Sequence, residues 1–268
     1  MCKTKYPILL VHGTGFRDRE KYNYWGRIPA ALEAHGAVLF YGGQDCWATI
    51  ENNSVMLKRT LDTIFRETDC GKVNIIAHSK GGLEARYLAA TLGCGDQIAS
   101  ITTIATPHHG SETLGKVWWL LRPVLWLLSF PINLWFRMLG DAAPDFYHTC
   151  WEFTDRFMAG FNEQNPDQPG ILYQSYAVAM KGPFSDVTMC LPNFLIHLCE
   201  GENDGLVSAR SAQWTNFRGV WRGETYRGIS HPDAVDFRRR NFTKKSTDSA
   251  DIRLRYTELV AGLKDLGL

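Results

Sequence analysis

The segment Val73–Leu92 reads VNIIAHSKGGLEARYLAATL, a short β-branched apolar run, a cluster of small residues, then a helical stretch. A strand that turns this sharply into a helix forces the residue at its apex into a strained backbone. Small residues on either side, here Ala77, Gly81 and Gly82, relieve the crowding. The apex residue, Ser79, then projects its hydroxyl above the sheet, where the N-terminus of the following helix directs its free N–H groups. This is a G-x-S-x-G elbow with alanine in the first small position. Short patterns of this kind arise by chance, but strand and helix are in register on both sides here.

The surrounding pattern is compatible with such a layout. Pro7–His12, Val38–Tyr41, Val73–Ala77 and Ile101–Thr106 read as strands, and Ile28–Ala34, Ser54–Phe65 and Gly81–Leu92 as helices, with Asn53 or Ser54 as the cap of the second. Strands apolar on both faces and separated by helices predict an α/β fold with a mostly parallel sheet covered on both sides. Alternation breaks from about 111 to 165, where Glu152–Phe161 is helix-like, and strand signals resume at Ile171–Ala179 and Phe194–Cys199. Asp251–Leu266 repeats apolar residues at helical spacing and closes the chain. One domain over 1–268, with 112–165 as a lid or cap insertion, is the expected organisation.

A serine hydroxyl is a weak nucleophile at neutral pH and needs a base, itself oriented by a carboxylate. On this kind of turn the partners follow in the order serine, acid, histidine. His108 and His109 come too early in that order. His197 lies within the apolar run FLIHLC and reads as a core or flank histidine. His231, in GISHPD, has candidate acids before it and a loop context, and is the expected base. Asp204 in ENDGLV is the expected acid, at what reads as the end of a strand, with Gly205 permitting the turn; Glu202, Glu200 and Asp186 are the alternatives. An oxyanion needs preformed donors. The N–H of Lys80 supplies one, with its side chain expected in solvent, and the N–H of Thr14 in His12-Gly13-Thr14-Gly15 the other.

The 268 residues are 45% hydrophobic and 21% charged with a net charge of +1. Those proportions exclude disordered, collagen-like and coiled-coil chains. The near-zero charge argues against nucleic acid as a partner, and Arg238, Arg239, Arg240, Lys244 and Lys245 read as a solvated loop. Seven cysteines without a CxxC pair fit neither a zinc ribbon nor a disulfide scaffold, so reduced thiols are expected. The apolar run Ile8–Val11 begins almost at once and leads into a motif, so no signal peptide is read and a cytoplasmic location is expected; a secreted chain trimmed of its leader would look the same.

PILLVHGTGF, IIAHSKGGLEAR, ITTIATPHHGS, FNEQNPDQPGILYQSYA, ENDGLVS, SHPDAVD and DIRLRYTELVAGL together resemble the bacterial triacylglycerol lipases of the α/β-hydrolase superfamily, both thermoalkalophilic and pseudomonad. The resemblance covers most of the chain outside 112–150. It implies an α/β-hydrolase fold and a serine carboxylic-ester hydrolase cleaving hydrophobic acyl esters such as acylglycerols. Ser79, Asp204 and His231 match the family's catalytic positions, and Thr14 and Lys80 its oxyanion positions. No cofactor is implied for catalysis. The zinc site of the thermoalkalophilic group is not expected, because Cys46–Lys72 contains no histidine. Asp233 matches a calcium aspartate of the pseudomonad group, with Asp186 a poorly aligned second; the other reading of Asp233 is a cap on the turn after His231. An acyltransferase or short-chain esterase on the same triad, or a membrane-associated binding protein without chemistry, are the alternatives.

Val117–Phe136, VWWLLRPVLWLLSFPINLWF, holds 15 hydrophobic residues in 20 and four of the nine tryptophans. By length it could cross a bilayer, but Arg122, Pro123, Pro131 and Asn133 interrupt it, and a span would pull the surrounding sheet apart. The family places its mobile lid here. Trp118, Trp119 and Trp126 are therefore expected to meet substrate or a lipid interface, with no transmembrane span; a core helix pair or a membrane-dipping anchor are the other readings.

Overall fold

The computed structural model describes residues 1–18, 23–223, 227–239 and 252–268. Arg240, Lys244 and Lys245 lie outside the described residues. Among the described residues six strands, β1 (Ile8–Val11), β2 (Leu39–Tyr41), β3 (Val73–His78), β4 (Ile98–Ile104), β5 (Leu172–Ala179) and β6 (Phe217–Arg222), form one sheet in the order β2-β1-β3-β4-β5-β6. Every neighbouring pair is parallel.

Alternation along the strands divides the core. Ile8, Leu10, Ile76, Ile104 and Val178 face one side, where they pack on α1 (Ile28–Ala34) and α8 (Ile252–Asp265) through Ile28, Leu32, Tyr256 and Val260. Leu9, Val11, Ile75, Ala77 and Ile101 face the other, against α2 (Ile50–Thr68) and α3 (Lys80–Ala90) through Leu57, Leu61, Ala85 and Leu88. Successive strand residues point to opposite faces, so an unbroken apolar run is what a doubly covered sheet requires. Each such side chain fully removed from water stabilises by roughly 1.5–3 kcal/mol.

The helix α2 begins a turn earlier than its periodicity suggested. Thr49 is its cap, accepting from Asn52 N–H at 3.3 Å. Asn53 and Ser54 instead face the interior, where Asn53 Nδ2 donates to Glu84 Oε1 at 2.8 Å. The helix-like stretch around Glu152 is two helices, α5 (Phe146–Glu152) and α6 (Asp155–Gln164), the second capped by Thr154. FLIHLC is not a strand. It lies in α7 (Cys190–Glu200), and His197 is an exposed residue of that helix rather than a core histidine.

The tryptophan-rich segment is one helix, α4 (Glu112–Met138), 27 residues long. At 1.5 Å per residue it extends for about 40 Å. Pro123 and Pro131 lie inside it, and each removes the bond to the carbonyl four residues back. Those carbonyls belong to Trp119 and Leu127, both on the exposed side, where water can serve them. Among the described residues α4 is the helix long and apolar enough to cross a bilayer, yet little of it is buried. Both its ends are fastened to the domain. At the base, Glu200 of α7 accepts from Ser111 Oγ at 3.0 Å and Thr113 N–H at 2.8 Å. At the far end, Arg17 donates to Gly140 O at 2.5 Å and Asn133 Oδ1 accepts from Phe146 N–H at 2.8 Å.

Candidate active site

β3 delivers Ser79 to the carboxyl edge of the sheet. Its backbone there has φ 55° and ψ −131°, a region that costs a non-glycine residue on the order of 1–3 kcal/mol. The strain is held by neighbours. Ser79 N–H donates to Ile104 O at 3.0 Å, and Gly82 N–H to Ser79 O at 3.1 Å. α3 passes so close to β1 that a Cβ on Gly81 would stand 2.5 Å from both Val11 O and His12 O. The loop after β1 closes over the same turn, since a Cβ on Gly13 would lie 2.7 Å from Ser79 Cβ. Hence HGTG is a loop pressed onto the serine rather than a remote turn.

The acid and base loops both hang from the end of β5. Met180 N–H donates to Asn203 O and Ile229 N–H to Ala179 O, each at 2.9 Å. This is how Asp204 reaches the rim although a helix and not a strand precedes it. Asp204 is wholly buried. Its Oδ1 accepts from Leu206 and Val207 N–H at 2.9 and 2.8 Å, and its Oδ2 lies 2.7 Å from His231 Nδ1. Because the carboxylate can only accept there, Nδ1 carries the proton and Nε2 is left as a base. His231 N–H also donates to Asp204 O at 2.8 Å. The His231 ring stands 4.5 Å, centroid to centroid, from His78, the residue before Ser79. Burial, and then the neighbouring His231, hold His78 well below the ordinary imidazole range, so it stays neutral.

The other candidates are committed elsewhere. Glu200 caps α4, Glu202 pairs with Arg222, and Asp186 with Arg238. His108 lies buried between Arg86 and Thr103, and desolvation first, then Arg86, keep it neutral. His109 stands against Gln213 O at 3.1 Å.

A cavity of about 410 Å³ opens beside Ser79 and Thr14. Leu114, Val117 and Leu121 of α4 form one wall, Pro192, Leu195 and Ile196 of α7 another. None of the three tryptophans expected to contact substrate lines it. Trp118 packs on Tyr147 and Trp151 at 5.8 and 5.2 Å, while Trp119 and Trp126 point outward. The side chain of Lys80 is also not where it was expected. It is 1% exposed, and its ammonium donates to Glu84 Oε1 at 2.5 Å and to Ala48 O at 2.6 Å. The signal was present as a glutamate four residues on, a spacing that pairs charges along one helix face.

Asp233 sits in the turn that begins at His231, and its Oδ2 accepts from Ser230 Oγ at 2.9 Å. Calcium needs six to eight oxygens. No three of His, Cys, Asp and Glu gather to hold a metal among the described residues, and the Asp186 carboxylate is occupied by Arg238. Within the turn, the Ser230 hydroxyl is thus a partner of the Asp233 carboxylate. The loop is clamped by Arg27, whose Nε and Nη2 meet the two oxygens of Asp236 at 2.7 Å each.

No family model matches the chain. It is 36% identical over 114 residues to a triacylglycerol lipase of Pseudarthrobacter phenanthrenivorans, a match covering 41% of this chain and 35% of that protein. The chain thus spans about a third of the length of the curated bacterial relatives it matches first. Among solved structures, the Staphylococcus hyicus lipase superposes with a TM-score of 0.68 at 18% identity, over 98% of this chain and 95% of that one. A metagenomic carboxyl esterase gives 0.73 at 14% identity, over 99% and 77%. The parallel sheet and these superpositions establish the α/β-hydrolase fold. The chain thus has an α/β-hydrolase fold, and over 114 of its residues it is similar in sequence to bacterial triacylglycerol lipases.

Proposed function

We propose that the chain is a serine carboxylic-ester hydrolase acting on hydrophobic acyl esters such as acylglycerols. One observation carries this reading: a strained serine at a strand-to-helix turn opens onto an apolar cavity, with a buried His231–Asp204 pair on the same rim. Ser79 Oγ attacks the ester carbonyl while His231 Nε2 takes its proton. The N–H groups of Thr14 and Lys80 receive the oxyanion. The intermediate collapses, the alcohol leaves with the proton from His231, and the acyl group remains on Ser79. Water, deprotonated by His231, then releases the acid and restores the serine. Asp204 holds the imidazole in the required tautomer throughout. These steps call for no cofactor.

The acyl chain would run between α4 and α7. The outward side of α4 extends this apolar surface through Trp119, Trp126, Leu127 and Phe130, each more than 60% exposed. Contiguous apolar area of this kind marks a contact surface, and we assign it to the lipid interface from which the ester is drawn. The insertion over 112–165 is accordingly a cap that serves as both cavity wall and lipid-facing surface.

Ser79→Ala decides the chemistry. Turnover of a soluble nitrophenyl ester is expected to fall by about 10⁴-fold or more, with an unchanged melting curve and no labelling by a fluorophosphonate. Retained turnover, or labelling of another residue in the parent chain, would exclude Ser79 as the nucleophile.

A further inference from the structure

Behind the elbow runs a chain of buried polar groups that the proposed reaction does not consume. Glu84, 1% exposed, stands at its centre. Its Oε1 receives Lys80 Nζ at 2.5 Å and Asn53 Nδ2 at 2.8 Å, and its Oε2 receives Gln44 Nε2 at 3.1 Å. The same amide nitrogen of Gln44 donates onward to His12 O at 3.0 Å. The His12 ring closes the circuit, with Nε2 3.1 Å from Gln44 O and Nδ1 2.6 Å from Gly13 O. Gln44 and His12 are both wholly buried.

This circuit joins two segments far apart in sequence. Lys80 carries one proposed oxyanion donor on its backbone, and its side chain anchors Glu84. Through Gln44, Glu84 holds His12, two residues before Thr14, which carries the other donor. Resting on the reading of Ser79 as nucleophile, we propose that Gln44 is a positioning residue: it sets the spacing between the two oxyanion donors, with the Lys80–Glu84 pair as its fixed base. An oxyanion hole is effective only when its donors are placed before charge develops, and among the described residues the loop after β1 has no strand partner beyond Val11.

A second observation supports the assignment. A Cβ on Gly42 would stand 2.2 Å from Gln44 Oε1 and 2.8 Å from Leu57 Cδ2. The space Gln44 occupies is thus left open by a glycine two residues earlier. Stability alone is a poor explanation for the circuit, because a buried ion pair is often no more stabilising than apolar residues of equal volume.

The test compares Gln44→Met, which keeps the volume and removes the amide, with Asn74→Ala. Asn74 is equally buried and accepts from Ser100 Oγ at 2.7 Å, but at the opposite end of β3. Both variants should melt at lower temperature than the parent. Only Gln44→Met should lose kcat on a soluble nitrophenyl ester, by about 10- to 100-fold, with KM within twofold. The fluorophosphonate labelling rate of Ser79 should fall in parallel. Gln44→Asn, which shortens the reach by one methylene, should show a smaller loss of the same kind and decides the matter if the methionine variant does not fold. The positioning role is overturned if kcat per labelled site in these variants matches the parent, or falls no more than in Asn74→Ala. A parent chain that neither turns over ester nor labels at Ser79 would instead overturn the underlying functional reading.

Discussion

The rim that carries Ser79, Asp204 and His231 and the cavity walls formed by α4 and α7 solve opposite problems. In the rim, strained backbone and buried charge are tolerated because neighbouring groups meet them at fixed distances. In the walls, α4 packs Trp118 on Tyr147 and Trp151 yet leaves Trp119, Leu120, Trp126, Leu127 and Phe130 in solvent. What separates them is whether the protein itself supplies the partner.

The contrast is broken most directly at Gly81. One methyl group there would meet the backbone carbonyls of Val11, the last residue of β1, and of His12 just after it, which cannot both move without disturbing the sheet's edge and the loop over Ser79. Gly81→Ala is expected to cost more than about 4 kcal/mol, the range in which a single substitution points to a named structural conflict. Urea unfolding measures this. A loss below about 1 kcal/mol would mean that the elbow is not the tightly packed element described here.

Next in size is a paired comparison. Leu61→Ala, in the core beneath the sheet, should cost about 2–5 kcal/mol. Replacing Trp126, Leu127 and Phe130 together by serine removes more apolar surface, but surface the fold does not bury. Stability should then change by no more than about 0.5 kcal/mol per site. The same triple variant should keep its rate on a soluble ester and lose sedimentation with phospholipid vesicles. Lys116, Arg122 and Arg137 are the only charged residues between Thr113 and Gly140, so the parent should favour vesicles containing anionic lipid, and less so at high salt. A cap variant that unfolds as readily as Leu61→Ala would place α4 in the core and remove its assignment to lipid.

The same division explains what could be read from sequence. The first three strands of the sheet's centre were legible because burial on both faces leaves continuous apolar runs such as ILLV and VNIIA. The candidate serine and acid stand out in the sequence because their local turns need particular small residues, and the candidate histidine because it follows them in a loop. β6 was missed: its FRGVWR is an edge strand with Arg218, Gly219 and Arg222 among its six residues, and only Trp221 is buried. α7 was misread because a short apolar run does not distinguish strand from buried or packed helix, and its helical state is settled by contact with α4 far away in sequence. Lys80 was misplaced because lysine ordinarily keeps its ammonium in water. The acceptors that bury it, Glu84 and Ala48 O, come from two different elements.

Glu152 joins α5, in the insertion, to the start of α2, and it provides the most specific test. It closes α5 on the cap side, and its Oε1 and Oε2 accept the N–H of Ile50 at 3.0 and 3.1 Å, at the start of α2. Burial raises its pKa to about 7, with Glu84 and Asp145 adding to the shift and Lys80 and the Ile50 N–H opposing it. A carboxyl whose folded pKa lies above its unfolded value binds more protons when folded. Stability is therefore lost as pH rises from about 4.5 to about 7, by up to about 3 kcal/mol, and stays lost above that. Glu152→Gln retains an acceptor for Ile50 and cannot ionise, so its stability should not fall over that interval on account of this site. Melting both proteins at pH 5 and pH 8 isolates the effect: the parent should lose ground to the variant at the higher pH. A difference that stays constant between the two pH values would mean that Glu152 is charged throughout, so that its contact with Ile50 is an ordinary charged helix cap rather than a buried, proton-dependent joint between α5 and α2.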